Sequence, residues 1–321
     1  MKGLKSKGSS HKIIIILAFL MIFAFFAIIN PRYASYNNIM SILLSTCVNG
    51  ILALGCSFVI VTAGIDISVG TVMTFSSVMG GTAFAVWGWN IWVSIIFGVL
   101  VGALCGAING FAITKMYLPP FIATMAMQMV TKGLSLVVSG IKPIYFTGCD
   151  FYQDIATGNF LGIPGFYNAI VILVVVAGGC YLLFSHTLLG RYTMSIGSNQ
   201  EATRLSGINV DKWKIMIYSL SGLLAGVAGV VMSSRLNSAQ PSLGLGYETE
   251  AIAAAVIGGN SLTGGEGSVV GTVIGALIIS SLTSGLRIMA VPTEIQSAIV
   301  GLVLAIAVFL DQLKKHRGKS K

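Results

Sequence analysis

The chain is short of charge. Only 9% of its 321 residues are Asp, Glu, Lys or Arg, where a soluble domain carries about 25%. That shortage excludes an ordinary water-facing globular domain. Acidic residues are the scarcer sign, 10 against 19 basic. Glu248 and Glu250 stand too close in sequence to share a helix face, so a paired-carboxylate acid/base site is excluded there. The five cysteines contain no CxxC and no Cys/His pair. Cys47, Cys56, Cys105 and Cys180 lie in apolar runs and read as small buried side chains, and Cys149 stands alone in a loop. Neither a disulfide framework nor a metal site follows from them. His11, His186 and His316 fall at span edges or tails. No Ser/His, paired Asp or HExxH arrangement is present, which argues against an intramembrane enzyme. No stretch free of apolar residues is long enough for a soluble domain. The longest loop, Gly140 to Gly165, still carries aromatics.

What is present is apolar residue, 55% of the chain, and 39 glycines. A membrane span needs about 20 mostly apolar residues. Runs that qualify or nearly qualify lie at 13–29, 39–62, 68–87, 91–114, 119–139, 166–184, 215–235, 248–260, 268–286 and 295–310. The first resembles a signal peptide, but its apolar run is long for an h-region, and Asn30-Pro31-Arg32 follows in place of a small-residue cleavage site. It reads as an uncleaved first span. The expected fold is all-α and integral to the membrane, with about ten transmembrane helices. Five spans per half make two inverted halves, an arrangement common in transporters with a central substrate site.

Net charge is +9, and its distribution points to membrane orientation, not to nucleic acid. Lys2, Lys5, Lys7, Lys12, Lys115, Arg191, Arg204, Lys212, Lys214, Lys314, Lys315, Arg317, Lys319 and Lys321 fall on one side of the ten-span arrangement. Arg32, Lys132, Lys142, Arg235 and Arg287 fall on the other side or at its membrane edge. The positive-inside rule makes the richer side cytoplasmic. The expected organisation is a cytoplasmic basic N-terminus over 1–12, a single transmembrane domain over 13–310 and a cytoplasmic basic tail over 311–321. A cytoplasmic loop covers about 185–214, and an extracytoplasmic loop about 140–165. Membrane lipid then surrounds the chain.

Several motifs interrupt the apolar pattern. Gly98, Gly102, Gly106 and Gly110 recur every fourth residue, a smooth helix face against which another backbone can approach. Gly222 with Gly226, Ala225 with Gly229, and Gly271 with Gly275 repeat the device. In VTAGIDISVG, Val61 to Gly70, Asp66 sits between two apolar runs. An Asp at a span centre costs roughly 2.5–3.5 kcal/mol on insertion scales, and a helix break at Gly64 and Gly70 lowers that cost. Asp66 or Ser68 is then either a cap for a helix starting near Val69 or a polar group of the transport path or its gate.

In YETEAIAAAVIGGNSLTGGEGSVVGT, Tyr247 to Thr272, five glycines fall between Gly258 and Gly267. They predict an interrupted helix or re-entrant turn, tolerated at membrane depth only under a cover of protein or beside a water cavity. Glu248 and Asn260 are the candidate path residues there. Gly259 and Gly264 have P-loop spacing, but Gly265 and Glu266 occupy the places of its Lys and Ser/Thr, so ATP binding by that motif is excluded. The segment NQEATRLSGIN, Asn199 to Asn209, is a short charged run between two long apolar ones, and it predicts a docking surface for a soluble partner.

With these segments in view, the chain resembles the membrane permease subunit of ribose-type ABC sugar importers, within the branched-chain amino acid/sugar permease superfamily. VTAGIDISVG, NQEATRLSGINV, LSGLLAGVAGVV at 220–231 and YETEAIAAAVIGGNSLTGGEGS, in that order, carry the resemblance over about Asn37 to Asp311. It implies a transport subunit with no cofactor of its own in a bacterial cytoplasmic membrane. It also implies a second permease subunit (identical or a paralogue), a cytoplasmic ABC ATPase and an extracytoplasmic sugar-binding protein. Asn199 to Asn209 is similar to the coupling helix of ABC permeases. Glu201-Ala202 and Gly207 stand at its acidic-alanine start and its glycine, and Thr203 departs from the usual second alanine. Asn199, Arg204 and Ser206 complete the expected ATPase-coupling set. Autoinducer-type furanoses, nucleosides and hexoses remain open as solutes beside a pentose. So does an ion-coupled secondary transporter, for which Asp66 and Glu266 are the available carboxylates.

Overall fold

The computed structural model describes residues 2–163 and 165–319, with side chains from residue 15 onward apart from those of residues 150, 310, 311 and 314–319. The basic side chains expected at 1–12 and 314–321 lie outside what is described. The chain forms α1 (Lys2–Ile29), α2 (Tyr36–Val61), α3 (Val69–Ala85), α4 (Ile91–Lys115) and α5 (Pro120–Ser139). A strand, β1 (Ile144–Tyr145), and the short α6 (Asp150–Thr157) follow. Then come α7 (Asn168–His186), α8 (Leu188–Ser198), α9 (Gln200–Leu205) and α10 (Val210–Leu236). The chain closes with β2 (Ser238–Ala239), α11 (Tyr247–Ile257), α12 (Val269–Ile288) and α13 (Thr293–Lys319).

Each of the ten apolar runs is met by a helix. Among the described residues, six helices are long and apolar enough to cross a membrane: α2, α4, α5, α7, α10 and α12. Ile15–Ile29, Val69–Ala85 and Thr293–Phe309 are shorter apolar helices. Burial separates the six. The apolar window of α2 is 94% buried, against 28% for α4 and α5 and 22% for α7. α2 is therefore the bundle centre, packed by α7, α10, α11 and α12. α4, α5 and α7 show most of their surface to the outside.

Small residues decide how closely the helices approach. With lipid outside, packing and not water exclusion drives helix association, so removing side chains at a crossing strengthens it. α4 lies along α10 with backbones in contact. A Cβ built on Gly106 would overlap the Tyr218 carbonyl oxygen, and one on Gly102 would come within 2.5 Å of the Gly222 carbonyl oxygen. Gly98 turns to α3, against the Ser76 carbonyl oxygen. Gly271 and Gly275 do the same between α12 and α11, against Gly258 and Ala254.

The 140–165 loop is more ordered than its sequence indicates. β1 pairs antiparallel with β2, Ile144 opposite Ala239. Tyr152 stacks on Phe146 and shares a 2.7 Å hydroxyl hydrogen bond with Ser233, and the Ser234 hydroxyl donates to the Tyr152 carbonyl oxygen at 2.6 Å. The loop is thereby clamped onto the C-terminal end of α10, the end away from α8 and α9.

Candidate functional site

The segment singled out in the sequence folds as a two-part bracket, α8 and then α9. Asn199 ends the first and caps the second: its side-chain oxygen accepts from the Ala202 amide at 2.9 Å, the ordinary use of Asn at a helix start. Ser206 closes α9, its hydroxyl donating to the Ala202 carbonyl at 2.9 Å. Gly207 then takes a left-handed φ of +82°, which turns the chain back into α10. Glu201, Ala202, Arg204, Ser206 and Gly207 are exposed. Thr203 is buried, with its hydroxyl on the Asn199 carbonyl at 2.8 Å. The departure at Thr203 therefore leaves the outward surface of the segment unchanged. Sequence reasoning missed Leu205, 88% exposed at the tip of α9. An apolar side chain so placed on a polar segment is itself a signal.

Charge holds the bracket in place. Asp211 at the start of α10 receives Lys115 from α4 at 2.8 Å and Arg204 from α9 at 3.0 Å. Lys214 donates to Gln200 at 2.7 Å, and Tyr192 of α8 packs edge-on against Trp213 with ring centroids 4.8 Å apart. Exposed ion pairs of this kind each contribute about 0–1 kcal/mol, so their role is positional.

The three motifs of the sequence meet beneath this bracket. The Gly265 amide donates to the Val61 carbonyl at 2.9 Å, joining the glycine run to the end of α2. Gly197, near the end of α8, is wedged between them: a Cβ there would overlap the Val61 carbonyl oxygen and come within 2.5 Å of the Gly265 amide nitrogen. Gly264 and Gly265, at φ +83° and +80°, supply the reversed backbone that brings the run so close. Chain from α2, α8 and the α11–α12 connection thus touches backbone to backbone directly before the capped α9. The run borders a cavity of about 220 Å³ lined by Tyr181, Phe184, Gly267 and Ser268.

Asp66 lies deeper. It is 3% exposed, and Ser221, which donates to its Oδ2 at 3.0 Å, is more than two turns into α10. Its Oδ1 accepts from the Ser68 amide at 3.0 Å and the Ser68 hydroxyl at 2.6 Å, and Asn109 of α4 donates to that same hydroxyl at 3.0 Å. Helix α3 starts at Val69 with Ser68 as its N-cap residue, and neither Asp66 nor Ser68 makes the side-chain cap expected from the sequence, because Asp66 is taken up by the Ser68 amide and hydroxyl and by Ser221. One side chain thus ties the α2–α3 break to α4 and α10. Replacing Asp66 with Leu strands two hydroxyls and an amide, at about 1–3 kcal/mol for each buried polar group left unpaired. The expected result is a thermal midpoint in detergent lower by about 5 °C or more, and an unchanged midpoint would show that the network carries no stability.

Glu248 and Asn260 stand at opposite ends of α11. Glu248 accepts from Gln128 of α5 at 3.2 Å and from the Gly246 amide at 3.1 Å, and its Oε2 would lie 2.8 Å from a Cβ on Gly70. It therefore adjoins the α3 start, on the same side as Asp66 and Ser68. Asn260 is 2% exposed and holds the glycine run together, donating to the Ala255 carbonyl and the Thr272 hydroxyl, each at 2.7 Å, and accepting from the Ser268 amide at 3.0 Å.

Comparison with known proteins fits this architecture. The chain is 38% identical over 303 residues to the ribose import permease protein of Escherichia coli strain K12, covering 94% of this chain and 93% of that one. It is 42% identical over 289 residues to the ribose import permease protein of Bacillus subtilis strain 168, covering 90% and 88%. Among solved structures, a putative metal-chelate type ABC transporter in an inward-facing conformation superposes with a TM-score of 0.52 at 15% identity, over 94% of this chain and 99% of that one, a likeness of fold alone. Residues 38–308 match the family described as the permease component of branched-chain amino acid transport systems, and the chain belongs to that family.

Proposed function

We propose that the chain is the membrane-spanning subunit of an ATP-driven importer and forms the path for a monosaccharide, ribose or a similar pentose, in a bacterial cytoplasmic membrane. The observation that carries this reading is the α8–α9 bracket: a capped, exposed helix standing on a backbone junction with α2 and the glycine run. A force applied to α9 reaches the bundle centre through that junction without passing a flexible side chain. In this reading a cytoplasmic ABC ATPase docks on Asn199, Glu201, Ala202, Arg204, Ser206 and Gly207, with Thr203 as the inward anchor. Asp66, Ser68, Asn260 and Glu248 hold the breaks that open or close the path. A binding protein delivers the sugar at the far end, and a second permease subunit completes the path.

The packing supports two related sets of four helices within the ten-span reading, while α1 and α7 do not map onto one another. Pairing α2 with α10, α3 with α11, α4 with α12 and α5 with α13 maps the neighbours of one half onto those of the other. The contacts of α3 with α4, α5 and α10, and of α4 with α5 and α10, become those of α11 with α12, α13 and α2, and of α12 with α13 and α2. The contacts of α2 with α10 and of α3 with α11 map onto themselves. An odd number of spans per half inverts one half relative to the other. Lys115, Arg191, Arg204, Lys212 and Lys214 gather at the bracket end, which supports a cytoplasmic placement of that end.

The test is affinity isolation of the tagged protein in mild detergent, followed by variants at the bracket. An ATPase chain carrying a P-loop is expected to co-purify. Glu201→Trp and Gly207→Trp are expected to insert normally, while uptake falls about tenfold or more relative to ATP hydrolysis. Full coupled uptake in both variants would sink the assignment.

A further inference from the structure

Arg235 and Arg287, read from the sequence as outer-edge cations, come together with Glu250 around a cavity. It lies at the bundle end away from the bracket, between the C-terminal ends of α10 and α12 and the N-terminal parts of α11 and α13. A chamber of about 280 Å³ and a neighbouring one of about 50 Å³ share Tyr247, Glu250, Thr283 and Arg287 as walls. Together they reach the lower end of the size range of small-molecule sites, ~300–1,000 Å³. Arg235 and Glu250 are half-buried and Arg287 is exposed. Here they are not spent on one another. Among the described residues both ion pairs are those of Asp211. Arg235 reaches only the Ser45 hydroxyl, at 3.3 Å.

Asn49 fixes the carboxylate in the cavity wall. Asn49 of α2, in the wall of the smaller chamber, is 3% exposed. Its amide nitrogen donates to Glu250 Oε2 at 2.6 Å and to the Ser280 hydroxyl at 3.3 Å. The amide orientation follows from the carboxylate, which accepts hydrogen bonds and donates none. The Asn49 oxygen then has no hydrogen-bond partner, although a buried acceptor left unpaired costs about 1–3 kcal/mol. The cavity presents a carboxylate, two guanidinium groups, a Thr hydroxyl and an aromatic wall.

We infer that this cavity is a binding pocket for a neutral polyhydroxylated solute of monosaccharide size, with Glu250 and Arg287 as its hydroxyl-binding pair and Asn49 holding the Glu250 carboxylate in place. Each sugar hydroxyl donates one hydrogen bond and accepts others, so vicinal hydroxyls satisfy acceptor and donor side chains together. A cation is disfavoured by the two arginines, which outnumber the one carboxylate. The inference rests on the import reading and gives that path its solute-contacting residues, at the end where the sugar enters.

The experiment uses the full chain in membranes with its transporter partners. Ser297 lines the larger chamber from α13 and is exposed. Among the five cysteines only Cys149 is not buried. The reporter is Ser297→Cys with Cys149→Ser, and its maleimide labelling rate is read with 100 mM D-ribose or 100 mM glycine betaine, about millimolar-to-tens-of-millimolar binding being within reach at that level. Ribose is expected to slow labelling about threefold or more, and betaine to leave it unchanged. Adding Arg287→Gln is expected to remove the protection while labelling itself persists, which separates loss of the pocket from loss of the fold. Ribose uptake is measured on the same membranes. Uptake without protection removes the pocket and leaves the import reading. Protection without uptake leaves the pocket and removes the import reading. Equal protection by betaine, or protection that survives Arg287→Gln, overturns the assignment of the hydroxyl-binding pair.

Discussion

A valine at Gly106 is expected to leave almost no folded protein in the membrane. The α4–α10 contact is made by backbone, and a Cβ at Gly106 would overlap the Tyr218 carbonyl oxygen, with the Gly222 amide nitrogen 3.1 Å away. Overpacking a core costs about 1–3 kcal/mol when neighbouring side chains can shift. Here the neighbour is helix backbone, so the helices must separate along their length. Separation also breaks what α10 carries: the Ser221 bond to Asp66, the Asp211 pairs to α4 and α9, and the Ser233 and Ser234 clamp on the 140–165 loop. The cost should therefore be about 3 kcal/mol or more, and the membrane-inserted level should fall about tenfold or more. Gly178→Val on α7 is the control, since nothing lies within 4 Å of a Cβ there. Equal levels of the two variants by quantitative immunoblot would show that the α4–α10 approach is not limiting.

Gly197→Ala is expected to give a different failure, a protein that inserts and assembles but does not transport. A single methyl at Gly197 must displace either the Val61 carbonyl or the Gly265 amide, the two ends of one 2.9 Å hydrogen bond. The disturbance sits at the bundle end, so the α4–α10 contact and the Asp66 network persist and the fold survives. What changes is the junction between the bracket and α2. If α9 is driven by an ATPase, uptake should drop about tenfold or more while ATP hydrolysis by the purified complex stays within about twofold. A tenfold loss corresponds to only about 1.4 kcal/mol of coupling, less than the overlap of one misplaced methyl costs. Parallel measurement of uptake and hydrolysis decides it. Equal loss of both would mean that Gly197 supports assembly and not coupling.

The sequence by itself determined the elements whose cause is local. Apolar run length sets where the chain can stay helical out of water, and every run found a helix. The strict glycine spacing on α4 marked a close-approach face because four-residue periodicity places side chains on one side of a helix. Asn199 to Asn209 was legible as a docking segment because a short charged run between two long apolar ones is a local pattern, and its helical form came from the resemblance. The outward character of Glu201 and Arg204 followed from their charge.

Tertiary structure alone decided the rest, because it concerns residues far apart in the chain. Hydropathy cannot say that the glycine run would come to lie against Val61 and Gly197, although its glycines announced an unusual backbone. The bonds of Ser221 to Asp66 and of Asn109 to the neighbouring Ser68 hydroxyl join residues far apart in the chain, which no local pattern announces. Arg235 and Arg287 read as outer-edge cations and Glu250 as a carboxylate off the face of Glu248, since their meeting around one cavity exists only once the helices have packed. The clamp of the 140–165 loop was invisible for a related reason: two-residue strands carry no periodicity, and their pairing is imposed by where α10 ends.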